Sequence, residues 1–268
     1  MSIHDLEAAT RPRRRDASTF DLEIQDGWQQ GRGAYGGVVI ASLVRAIEGF
    51  AETPDRPLRS LTVELPGPTL VGPAELRVEA LRVGSGQSTF AARALQNGEV
   101  CAHAVAILAK PRAPSAATFR ELTAPPLRPF DETQELPYHT GLFPTFAQHL
   151  VYRSDGPFPF SSHEEARVTG WVRPRAAGPM SRGAYLAAMA DAWWPATFSR
   201  ASQPFPIGTV AYTLQIVGSG EPIDPARPLA YRAHVWVQHE GYFVEQRELW
   251  TEDGELLALN QQTFAIIK

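Results

Sequence analysis

Residues 31–37 read Gly-Arg-Gly-Ala-Tyr-Gly-Gly, and residues 181–191 read Ser-Arg-Gly-Ala-Tyr-Leu-Ala-Ala-Met-Ala-Asp. The tetrapeptide Arg-Gly-Ala-Tyr thus occurs twice, at Arg32–Tyr35 and Arg182–Tyr185, offset by 182 − 32 = 150 residues. An apolar stretch follows each copy. After the first, Ile40, Leu43, Val44 and Ile47 recur at three and four residues, which predicts a helix over about Gly37 to Phe50. After the second, a helix is expected over about Gly183 to Phe198. Val38–Val44 has only Ser42 as a polar side chain, and Tyr185–Pro195 has only Asp191 as a charge. Helices this apolar must be covered on most sides.

The flanking sequence repeats too. Before the first helix, Phe20–Ile24 alternates as a strand does; after it come strand-like runs at Ser60–Leu65, Ala74–Val83, Ser88–Gln96 and Glu99–Leu108. Asn97-Gly98 between the last two signals a hairpin. In the second half Arg167–Arg173 precedes the helix, and runs at Gly208–Val217, Leu229–Gln238, Tyr242–Thr251 and Glu255–Ile267 follow it. Asp253-Gly254 stands where Asn97-Gly98 stood, at an offset of 254 − 98 = 156. The same element order at nearly the same offset points to an internal repeat. Between the halves, residues 111–137 hold six prolines and little apolar periodicity, and read as a connector. The expected organisation is a mobile tail over residues 1–17, a first repeat over 18–110, the connector, and a second repeat over 138–268.

The composition is that of an ordinary globular chain: 268 residues, 44% hydrophobic, 20% charged, net charge −4. No global basic field draws nucleic acid or anionic membrane. Arg11, Arg13, Arg14 and Arg15 lie in a polar N-terminal stretch with no signal-peptide core, and no apolar run is long enough for a membrane span. Cys101, the lone cysteine, excludes an internal disulfide and multi-cysteine metal sites. These features suggest a cytoplasmic protein.

One helix followed by a four-strand meander, twice, suggests one antiparallel sheet wrapped around two central helices. That α+β arrangement resembles the tandem, or double, hotdog fold. Three patches carry a closer resemblance, to the acyl-CoA thioesterase II-like family: Gly33–Val39 at the first helix start, Tyr185–Asp191 in the second helix, and Gly254–Gln262 in the last strand. The resemblance covers about Phe20 to Ile267. It implies hydrolysis of an acyl-CoA thioester, as in fatty acid metabolism, with no metal or other cofactor. Carried over by position, the water-activating set falls on Asp191, Thr209 and Gln262. Thr213 is the second candidate for the hydroxyl. Relatives often place an acid two residues after the threonine that Thr209 matches, where this chain has Ala211.

The residues suit these roles. A carboxylate buried in an apolar stretch is costly, and its raised pKa makes it a better base. The plainer reading of Asp191 is an acid on an exposed stripe, or one paired with Arg182 or Arg200. Gln262 shares a strand face with Ala258, Asn260 and Phe264; this face could line a wet pocket or belong to a solvated edge strand. An amide or hydroxyl there would hold a water but could not deprotonate it. Gly36 and Gly37 would let a thioester carbonyl approach backbone N–H donors at a helix N-terminus, although tight packing explains them almost as well. Tyr35 would close the pocket or simply pack.

Other chemistries lack their motifs. No Gly-x-Ser-x-Gly, phosphate loop or dinucleotide fingerprint is present, and the seven histidines show no helical metal spacing. Two alternatives to a thioesterase stay open: a non-catalytic acyl-CoA or lipid-binding hotdog protein, and a hotdog enoyl-CoA hydratase or dehydratase. Exposed sheet edges and faces further suggest a homodimer or larger assembly.

Overall fold

The computed structural model describes residues 5–112, 118–218 and 220–267. The first half contains α1 (Leu6–Ala9), β1 (Arg13–Arg14), β2 (Thr19–Ile24), β3 (Gln29–Gln30), β4 (Gly33–Ala34), α2 (Gly36–Ala51), β5 (Leu58–Glu64), β6 (Gly72–Val83), β7 (Gln87–Gln96) and β8 (Glu99–Ala109). The second contains β9 (Leu150–Ser154), β10 (Arg167–Pro174), α3 (Arg182–Met189), β11 (Ile207–Ile216), β12 (Leu229–His239), β13 (Tyr242–Trp250) and β14 (Leu256–Ile266). Twelve of the strands form one sheet in the order β1-β2-β6-β7-β8-β5-β11-β14-β13-β12-β10-β9. Read outward from the β5–β11 junction, the order is β5-β8-β7-β6-β2 one way and β11-β14-β13-β12-β10 the other. This is the duplicated hotdog arrangement expected from the repeat.

At the junction β5 and β11 are antiparallel, with Leu61 opposite Leu214 and Val63 opposite Tyr212. Helix α2 packs on α3 and on β6, β7 and β8. Its residues from Gly37 to Val44 are all buried, as a helix apolar around its circumference requires.

Three expectations are corrected. First, α3 has eight residues and ends at Met189, rather than continuing to Phe198. Pro195 disfavours helical backbone at Trp194, and a short 3₁₀ turn over Ala196–Ser199 follows instead. Second, residues 5–14 do not form a mobile tail. Leu6 and Glu7 donate their N–H groups to Ala176 and Ala177 carbonyls at 3.0 and 2.8 Å. Leu6 and Ala9 are buried, and the Glu7 carboxylate pairs with Arg11 and Arg45. Third, the two Arg-Gly-Ala-Tyr copies are not structurally equivalent. Tyr35 of the first is the N-cap of α2, whereas the whole second copy lies inside α3, behind its N-cap Ser181.

The connector does more than link. Its residues Ala124, Leu127 and Phe130 pack on Trp171, Ala230, Trp250 and Leu256, a cluster separate from the main core. Trp171 Nε1 donates to the Arg128 carbonyl at 2.9 Å. These connector residues thereby cover part of the second half's sheet.

Candidate active site

The site forms where the chain leaves α3 and meets the start of α2. Tyr35 has no side-chain capping bond for the first N–H groups of α2. The Asp191 carboxylate stands at this start instead, and the Gly37 N–H favours its ionised form. A carboxylate there is favoured by the partial positive charge of a helix N-terminus. Close approach requires glycine at position 36, because a Cβ there would stand 2.7 Å from Asp191 Oδ2. The contact joins the two halves, with the acid supplied by one and the helix start by the other.

Strand β14 supplies the amides. Gln262 Nε2 donates to Asp191 Oδ1 and to Asn260 Oδ1, both at 3.1 Å. Gln262 is fully buried because β14 lies between β11 and β13, not at an edge. Thr209 Oγ1 donates to Gln262 Oε1 at 3.3 Å. Thr209 reaches this face because β11 has an irregularity between Thr209 and Ala211. In a regular strand, residues 209 and 212 would face opposite sides; the extra residue puts Thr209 on the face of buried Tyr212. Thr213, the second candidate, contributes its carbonyl, which accepts from Asn260 Nδ2 at 2.6 Å.

Ending α3 early exposes its last carbonyls, and four buried donors claim those nearby. Tyr212 donates to Ala187 at 3.0 Å, Tyr35 to Ala188, Arg247 Nη1 to Ala190 at 2.9 Å, and Tyr152 to Ala192 at 2.7 Å. Tyr35 also stacks on Phe146, with ring centroids 4.0 Å apart. It therefore packs and holds α3. The turn bearing Asp191 is fixed from four directions.

Burial pushes the Asp191 carboxyl above its usual range, against the opposing pull of Arg247, Gln262 and the Gly37 N–H. Burial likewise raises Glu245. It would lower Arg247, but the Glu245 and Asp191 carboxylates oppose it and the guanidinium stays firmly cationic. Arg247 Nη1 lies 3.6 Å from Asp191 Oδ1, an ion pair too long for a hydrogen bond.

The structure thus brings together Asp191, Thr209, Gln262, Gly36 and Gly37. It does not bring the two arginines first considered as partners of Asp191. Arg182 reaches the Val217 and Glu221 carbonyls, and Arg200 is exposed. The charges that do reach the site, Glu245 and Arg247, were missed. Their signal was present: Phe243, Glu245, Arg247 and Leu249 alternate along one strand, placing two charges on an apolar face.

Comparison with known proteins follows the same lines. Residues 24–109 match the family model of the acyl-CoA thioesterase N-terminal domain, and residues 123–266 that of the acyl-CoA thioesterase C-terminal domain. A hot dog fold protein of unknown function from Alicyclobacillus acidocaldarius superposes with a TM-score of 0.85 at 24% identity, covering 99% of this chain and 98% of its own. A tesB protein from Mycobacterium avium subsp. paratuberculosis gives 0.82 at 16% identity, covering all of both chains. An acyl-CoA thioesterase II from Mycobacterium marinum gives 0.76 at 15%, covering 98% of each. At these identities the structural matches establish the fold. No curated protein matches by sequence. Among the described residues, no helix is long and apolar enough to cross a membrane.

Proposed function

The chain belongs to the acyl-CoA thioesterase family, and on that premise we propose that it hydrolyses an acyl-CoA thioester by attack of a water that Asp191 deprotonates. The observation that carries this reading is the buried Asp191 carboxylate, held by Gln262 and seated against Gly36 at the α2 N-terminus. A carboxylate so placed is dry, basic and adjacent to backbone donors.

In this scheme the water oxygen bonds to the thioester carbonyl carbon while Asp191 takes its proton. Thr209 and Gln262 orient the water, since neither can act as a base. The α2 N-terminus stabilises the negative charge on the former carbonyl oxygen. The Gly37 N–H favours the ionised form of Asp191. Once Asp191 is protonated its hold on that N–H weakens, just as the new oxyanion needs it. The C–S bond then breaks, and the CoA thiolate recovers the proton from Asp191, leaving the free acid and CoA.

Thiol release from a chain-length series of acyl-CoA thioesters tests the proposal. Turnover with at least one member is expected. Tight binding of acyl-CoA with no thiol release from any member would replace the enzyme with a binding protein.

A further inference from the structure

Three ionisable side chains meet in the interior below α3: Asp191, Glu245 and Arg247. All are at least nine-tenths buried. Only Asp191 has a place in the chemistry above. Burying the other two is expensive unless they serve it or each other.

Their geometry is specific. Arg247 Nε donates to Glu245 Oε1 at 2.8 Å, and Arg247 Nη1 to the Ala190 carbonyl at 2.9 Å. Glu245 Oε2 accepts the Ala196 N–H at 2.8 Å. The pair therefore grips one backbone group on each side of the turn that carries Asp191. The Phe264 ring lies 5.3 Å from the guanidinium. Asp191 receives no direct hydrogen bond from Arg247, only its charge at 3.6 Å. A guanidinium forked onto Asp191 would make the carboxylate a poor proton acceptor. With no positive charge nearby, the dry carboxylate would instead stay protonated.

We propose that Arg247, oriented by Glu245, is a positioning residue that fixes the Asp191 turn and sets the basicity of its carboxylate. Arg247 supplies the charge that lets Asp191 ionise, and Glu245 tempers that charge by engaging the best donor. This rests on the reading of Asp191 as the base. The other titratable groups facing Asp191 are Tyr35 before α2, Tyr152 on β9, Tyr212 on β11 and Tyr231 on β12. Burial keeps all four phenols protonated well beyond neutrality, so Arg247 and Glu245 are the charges that act. Strand β14 adds only the neutral amides of Asn260 and Gln262.

The test follows the Asp191 carboxyl directly, in protein labelled with ¹³C at aspartate, the resonance being assigned by its loss in Asp191→Asn. Arg247→Met should raise the Asp191 midpoint by about one pH unit or more. Arg247→Lys should stay near the parent, and Glu245→Gln should lower the midpoint. The acidic limb of kcat should move in the same directions. A merely structural role would depress kcat at every pH and leave the midpoints in place. An unchanged midpoint in folded Arg247→Met overturns the proposal. If that variant does not fold, a midpoint in Glu245→Gln that stays or rises overturns it instead. The carboxyl readout is independent of turnover. Opposite shifts in a protein that releases no thiol would therefore defeat the proposed reaction and leave the Arg247 assignment standing.

Discussion

Ladder positions in the two halves correspond across the β5–β11 junction, and at each matched pair the interiors differ in chemistry. Leu61 stands opposite Ala106 as Tyr212 stands opposite Gln262, and Leu58 opposite Leu108 as Thr209 opposite Phe264. Each alignment carries a register irregularity at the same place, after Leu58 and after Thr209. One ladder further out, Phe90 faces Ala106 as Glu245 faces Gln262, and Ala92 faces Ala104 as Arg247 faces Asn260. The first half thus has Leu58, Phe90, Ala92, Ala104 and Ala106 where the second has Thr209, Glu245, Arg247, Asn260 and Gln262. The helix starts differ in the same sense. The α2 start takes its acid from the other half, as Asp191. The α3 start is capped by its own Ser181, which accepts from the Ala184 N–H at 3.2 Å. An acid is present there too, Glu48, which accepts from Ser181 Oγ at 2.7 Å. A Cβ on Gly183 would stand 2.9 Å from the Leu58 Cβ. Duplication gave both helix starts the same frame. Buried polar groups are costly, so an interior keeps them where they serve a purpose. Here the interior beside the α2 start has them, and the matched strand positions of the first half are filled with hydrocarbon.

The largest test of this asymmetry is Asp191→Asn. Removing a positioned base should lower kcat by ~1,000-fold, measured by thiol release. The same change should stabilise the protein near neutral pH. The Asp191 pKa is raised in the folded state, chiefly by burial, above the model-compound value of 3.8. Folded protein therefore binds the proton more tightly than unfolded protein. The parent loses stability as pH rises from that value through the raised pKa, and Asn does not. Thermal midpoints at acidic and alkaline pH should show a gain for the variant that grows with pH. A variant that is less stable at high pH would mean the ionised carboxylate holds the two halves together.

The sequence disclosed the duplication through element order and matched hairpin turns, which are local signals. Asp191 stood out as a single charge in an apolar stretch, but its assignment as the base came from the resemblance. The most eye-catching repeat was misleading: Arg-Gly-Ala-Tyr precedes one helix and lies inside the other. The length of α3 was hidden because apolar spacing continues past Met189, while the stop comes from Pro195 and from tertiary claims on the last carbonyls. The preference for Thr209 over Thr213 came from the resemblance alone, because its physical ground, the β11 irregularity, depends on strand pairing. Arg247 and Glu245 were missed because their burial follows from the central position of β13, a non-local fact.

Gln262→Ala gives the second half the residue that the first has at Ala106. It removes the hydrogen bond to Asp191 Oδ1 and the acceptor for Thr209. A hydrogen bond to a charged group contributes about 1.5–3 kcal/mol, so kcat should fall by roughly 10- to 100-fold. The loss should be well short of that in Asp191→Asn, because the base remains. A parent-like kcat would show that the amide only fills space and that the polar interior is not where the halves divide their labour.

The smallest effect is expected at the other helix start. Glu48 lies against the α3 start as Asp191 lies against the α2 start, and burial also raises its pKa, against Ser181 and Arg45. It has no amide or threonine beside it in the matched positions, only Leu58, Ala104 and Ala106. Glu48→Gln keeps an acceptor for Ser181 Oγ and removes the charge. Thiol release should stay within about twofold of the parent, since no transition-state contact is lost. Stability should move as for Asp191 but less: a folded-state pKa above 4.5 means that the parent weakens as pH rises through it. The thermal midpoint of Glu48→Gln should therefore equal the parent's in acid and exceed it slightly near neutrality. A tenfold fall in kcat would mean that the two helix starts are coupled through the α2–α3 contact. The apolar half would then be part of the catalytic unit.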